Sequence, residues 1–165
     1  MTLAEAAAEA DVLAQAGDER ALAALRSRWD DELEAAARNA DYRVRSQAYR
    51  AIAQFRFRQK LELLRRGLED ESPAARGSAL IALESLSRGH PGDVNAYRSL
   101  LHELAARDPN VAVRRLAVIC LKNGSPHRDT IVLLEGLAQD DRADRELAAA
   151  AARIAAALKK KAGPR

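Results

Sequence analysis

The sequence predicts an all-α fold: a right-handed α–α superhelix of about four to five antiparallel helix pairs. Three observations predict it. Hydrophobic residues make up 48% of the chain but aromatics only 4%. The apolar content is therefore mostly Ala, Leu, Val and Ile; Ala and Leu favour helix, and the residues that favour strands are sparse. Apolar positions recur at intervals of three and four rather than two, which is the helical period. A nine-residue pattern also returns along the chain. At 165 residues the length suits one domain with a real core. Within it, residues 1–40 are expected as N-terminal capping helices, 41–158 as repeats and 159–165 as a basic disordered tail.

Taken in order, residues 2–15 and 18–39 read as the two capping helices, broken by Gly17–Asp18. The sequence leaves open whether Trp29–Asp31 interrupts the second. Residues 44–52 (VRSQAYRAI), 75–83 (ARGSALIAL) and 113–121 (VRRLAVICL) then align without gaps. Each has an apolar residue, an Arg, an Ala three positions later and a closing branched apolar residue. The Arg positions are Arg45, Arg76 and Arg114; the Ala positions are Ala48, Ala79 and Ala117. A weaker fourth copy is placed at Asp144–Arg145, with Ala148 and Ala151 in register. The middle spacing is longer, and the excess falls around Ser87–Gly92, where Gly89, Pro91 and Gly92 suggest a longer loop. Ahead of each motif lies another amphipathic stretch. Residues 57–69 carry Phe57, Leu61, Leu64 and Leu68; residues 94–106 carry Tyr97, Leu100, Leu101 and Leu104; residues 130–138 carry Ile131, Leu134 and Leu137. Each of these first helices ends at an acid: Asp41, Asp70, Asp108, and Asp140 or Asp141. Pro73 and Pro109 stand at or beside the start of second helices, where a missing N–H breaks no helical bond.

The turn acid, the apolar–Arg pair and the Ala three later carry a resemblance. They are Asp41 with Val44–Arg45 and Ala48, Asp108 with Val113–Arg114 and Ala117, and more loosely Asp70 with Ala75–Arg76 and Ala79. This pattern resembles the HEAT-repeat superfamily, an armadillo-like α-solenoid class, and in particular short bacterial HEAT-like repeats of the phycobilin-lyase type. The resemblance covers about residues 30–158. It implies that the Asp and Arg of successive repeats pair, which assigns Asp41, Arg45, Asp70, Arg76, Asp108, Arg114 and Arg145 a structural role. Such repeats serve many functions.

The sequence holds few groups suited to catalysis. His90, His102 and His127 are scattered, and no second His follows at three or four positions to make a metal pair. Cys120 lies in the apolar run 111–121 and reads as a core residue. There is no Gly-rich phosphate loop and no nucleophile elbow. The expectation is a non-enzymatic protein with no cofactor. No run approaches a membrane span, and neither a signal peptide nor a disulfide pair is evident, so a cytoplasmic location is expected.

Charge is strongly uneven. Residues 1–37 carry a net charge of −6, residues 38–66 a net +7, residues 67–158 a net −2, and the last seven residues add four bases. Second helices of such a solenoid line one face. Along the outward stripe of successive second helices stand Arg43, Gln47, Arg50 and Gln54, then Ala74, Ser78, Ile81 and Ser85, then Ala112, Leu116, Ile119 and Asn123. Two surfaces compete for a partner. Ile81, Leu116 and Ile119 suggest a protein-binding patch on the concave face. Arg43, Arg50, Arg56, Arg58, Lys60, Arg65 and Arg66 suggest a nucleic-acid surface, similar in kind to HEAT-like DNA-alkylation-repair proteins. A bilin-lyase-like role is the further expectation that the resemblance implies.

Overall fold

A computed structural model describes residues 1–164. Among them the chain is all-helical, and it divides into two compact units of packed consecutive helices, one ending at Leu86 and the other running from Ser87 onward.

The first unit opens with α1 (Leu3–Gln15). Thr2 caps it in a reciprocal box: the Glu5 N–H donates to Thr2 Oγ1, and the Thr2 N–H donates to the Glu5 carboxylate at 2.8 Å, so two orphan donors are satisfied. Gly17, at φ +73°, takes the left-handed residue after the helix. The Asp18 N–H then donates back to the Leu13 carbonyl, which ends α1 in a Schellman turn. α2 (Glu19–Ala37) starts at the cap Asp18 and runs unbroken through Trp29–Asp31. Leu22, Leu25, Trp29, Leu33 and Ala37 are its buried positions, spaced by three and four so that one stripe faces the core.

α3 (Tyr42–Gln54) is capped by Asp41 and buries Ala48, Tyr49, Ala51 and Ile52. It ends in a second Schellman turn, with Arg56 rather than glycine in the left-handed position (φ 51°) and the Phe57 N–H donating to Ile52. The expected helix over 57–69 is shortened by this turn. Residues Arg58–Lys60 form a 3₁₀ turn and α4 spans only Leu61–Leu68. Phe57 is still buried, but it reaches the core from the turn instead of a helix face. α5 (Pro73–Ser87) begins at Pro73, as the proline rule requires. Gly67 lets α4 approach closely: a Cβ there would stand 2.7 Å from the Ala79 Cβ and 3.0 Å from the Tyr49 ring.

The second unit corrects the loop expected around Ser87–Gly92. α5 continues to Ser87, and Pro91–Asn95 forms a short helix, α6. The first helix expected over 94–106 is accordingly split, with α7 spanning Arg98–Arg107. The inserted residues fold because they have partners. Val94 is buried, and Asn95 exchanges hydrogen bonds with the Ser125 hydroxyl and N–H at 2.9 and 3.0 Å. α8 (Val111–Leu121, capped by Asn110) packs on α7. α9 (Arg128–Gln139) packs on α10 (Arg145–Ala162), which also contacts α8. Because α10 extends to Ala162, Lys159, Lys160 and Lys161 are helical, not part of a disordered tail. Arg165 lies outside the described residues.

Candidate interaction face

The repeating arginines are the fourth residues of α3, α5 and α8, and their first task is local. Arg45 makes four hydrogen bonds. Its Nε and Nη2 each donate to a carboxylate oxygen of Asp70 at 2.8 Å, a bidentate fork. Its Nη1 donates to the Asn39 and Ala40 carbonyls at 3.0 and 2.9 Å. Arg76 donates to the Asp70 carbonyl at 2.8 Å, and Arg114 to the Ala105 carbonyl at 2.9 Å. Each thus secures the turn before its own helix, and Arg45 also grips the next.

Asp70 is mostly buried beside Tyr49. Burial alone would raise its carboxyl. The Arg45 fork and the Ser72 N–H outweigh that and hold it below the ordinary carboxylate range. Tyr49 is pushed up, by burial first and by the Asp70 charge second. These groups floor an open cleft of about 650 Å³, rimmed by Arg38, Arg66, Glu69 and Glu71.

Asp41 and Arg145 sit differently from the sequence alignment. Asp70 and Asp108 each accept the N–H two residues on, that of Ser72 and of Asn110, at 2.9 Å. The group in the same place before α3 is Asn39, which accepts the Asp41 N–H at 2.8 Å. Asp41 is instead the helix cap. It binds the Arg43 N–H and guanidinium, and that side-chain contact holds its carboxyl low. Arg145 is the first residue of α10, not the fourth. It is exposed, and no hydrogen bond or ion pair joins it to the described residues. In structural register the fourth copy reads Leu147, Ala148 and Ala151, with Leu147 and Ala151 buried and no arginine.

The basic segment does not converge. Arg56 donates to Asp11 at 2.9 Å and to the Ala53 and Gln54 carbonyls. Arg58 donates to the Leu86 carbonyl at 2.9 Å. Lys60 reaches both Asp30 and Glu34, which keep it charged against the penalty of burial. Arg65 pairs with Glu62 and Glu69. Arg66 is exposed at the cleft rim. Arg43 and Arg50 are exposed on α3, and Arg50 Nε donates to the Ser78 hydroxyl of α5 at 3.2 Å.

That last bond ties α3 to α5 at Ser78, which is buried rather than outward-facing as its stripe position suggested; Ile81 stands one turn further along α5. Ile81 is 41% exposed. On α8 of the second unit, Leu116 and Ile119 are half-buried. Their spacing of three places them on one side of the helix.

Among the described residues no cluster of three or more His, Cys, Asp or Glu is placed to hold a metal. No described helix is long and apolar enough to cross a membrane. Cys120 is fully buried, as read. His102 was not singled out as a binding group; its Nε2 lies 2.8 Å from the Thr130 hydroxyl. Burial first, then the Arg98 charge, holds it below the usual histidine range.

No curated protein matches the chain. Residues 31–102 match the family model described as HEAT repeats. The helix hairpins agree with that match, and over residues 31–102 the chain is similar to HEAT repeats.

Proposed function

We propose that the chain is a non-enzymatic adaptor that holds a protein partner on the outward face of its second helices. HEAT repeats generally serve as protein-interaction scaffolds. The observation that carries the reading is the exposed Ile81, one helical turn along α5 from the Ser78 hydroxyl that binds Arg50. A large aliphatic side chain with a fixed arginine nearby is the kind of anchor pair that recognition faces use. On the second unit, Leu116 and Ile119 form a separate half-buried apolar pair on α8.

Immobilised full-length chain is to be compared with Ile81→Glu and, separately, Leu116→Glu, each verified as folded by circular dichroism. The reading expects a specific partner retained by the parent and lost with at least one variant. Retention of every captured partner by both folded variants would remove the face from consideration.

The nucleic-acid reading is weaker, because Arg56, Arg58 and Lys60 are engaged internally and a duplex needs a row of available cations. The bilin-lyase reading gains no nucleophile or ligand set from the geometry.

A further inference from the structure

We infer that the occupant of the α3–α5 face is an acidic amphipathic helix lying along α3; this rests on the adaptor reading above. Arg43 and Arg50 are exposed, seven residues apart on one helix, which separates them by about 10 Å at 1.5 Å per residue. A second helix laid alongside has the same rise. Carboxylates seven residues apart on it therefore reach both guanidiniums at once.

Arg50 is positioned before any partner arrives, whereas Arg43 is paired only at the surface. Asp41 holds Arg43 through Oδ1 and Oδ2 at 3.2 Å, and Ser78 holds Arg50 at 3.2 Å. Preorganised donors lose less freedom on binding. The Asp41 contact is solvent-exposed and so is readily exchanged for another carboxylate. Ile81, one turn along α5 from the Ser78 that binds Arg50, is the exposed apolar side chain, and it asks for a Leu or Ile on the partner between the two acids. The other exposed or half-exposed positions of the two stripes are uncharged: Gln47 and Gln54 on α3, and Ala74 and Ser85 on α5.

A nucleic acid fits this face less well. It has no use for Ile81, and the cations beyond Arg43 and Arg50 that would extend a phosphate track are largely engaged.

The test is selection from a displayed library of randomised helical peptides on the full chain. Fluorescence anisotropy of the enriched peptides then follows at low and physiological salt. Enriched peptides are expected to carry Asp or Glu seven residues apart with an aliphatic residue between them. They should weaken with salt and lose tenfold or more in affinity with Arg50→Glu and with Ile81→Glu. Arg65→Glu, on α4, should change affinity less than twofold, and Arg50→Gln should give a smaller loss than Arg50→Glu. No enrichment, or enrichment of neutral or basic peptides, overturns the proposal. So does a DNA strand that binds more tightly than the selected peptides and is lost with Arg50→Glu, which assigns the face to nucleic acid. Neutral peptides that depend on Ile81 leave the adaptor reading standing without its acidic partner. Peptides indifferent to both Arg50→Glu and Ile81→Glu remove both.

Discussion

Asp70 meets more of its surroundings than any other carboxylate in the first unit: two guanidinium donors, the Ser72 N–H and a longer contact from the Tyr49 hydroxyl. Asp70→Asn keeps the shape but removes the charge opposite Arg45. Arg45 retains two carbonyl partners, so a loss of about 2 kcal/mol is expected, below the full cost of breaking a buried pair; urea denaturation measures it. Because the folded carboxyl is held low, its contribution is complete above the unfolded value near 3.8 and disappears as pH falls through the folded value. His102 acts at a milder pH. Its folded form resists protonation, so its contribution is complete above about 6.5 and is lost as pH drops below that. Melting temperature should fall between pH 7.5 and 5.5, and the fall should shrink in His102→Gln. The sequence pointed to the Arg45–Asp70 pairing through its resemblance, because a repeated Arg beside a repeated acid is visible as text. It did not point to His102, since a lone histidine acquires meaning only from the Thr130 hydroxyl and the Arg98 charge beside it in space.

At the scale of elements, helix positions were legible and helix ends less so. α1, α2 and α3 begin and end near their predicted limits because Thr2, Asp18 and Asp41 cap them and Gly17 stops the first. The α3–α4 connection was misread because an arginine, not a glycine, holds the left-handed turn at residue 56. Asp11 and two carbonyls bind that arginine in place, and none of this is a local sequence signal. α6 was read as loop from Gly89, Pro91 and Gly92, yet proline opens helices as readily as it ends them, and Asn95 and Ser125 secure this one. The fourth repeat slipped by three residues because Ala-rich α10 offers several equivalent registers. Two outcomes follow. Gly67→Ala gains helix propensity but drives a methyl into Ala79 and Tyr49, so a net loss of about 1–3 kcal/mol is expected from thermal melts. Arg114→Ala should cost about 1 kcal/mol through its lost carbonyl bond, whereas Arg145→Ala should leave the melting temperature unchanged.

At the scale of the molecule, the uneven charge of the chain becomes cohesion in the first unit. The acidic N-terminal part meets the basic segment across Asp11–Arg56, Asp30–Lys60 and Glu34–Lys60. Part of the +7 that suggested an anion-binding surface is taken up by these internal pairs, which sequence-level summation cannot distinguish from an outward patch. Salt screens partly exposed pairs of this kind, so raising sodium chloride from 0.05 to about 0.5 M should lower the melting temperature modestly, and less so in a Lys60→Met chain. The Arg45 fork has a consequence for synthesis as well. Arg45 precedes its carboxylate by 25 residues, so it leaves the ribosome first and can already be docked on Asn39 and Ala40 when Asp70 emerges. The finished α2–α3 hairpin then presents a receptor for the turn still being made.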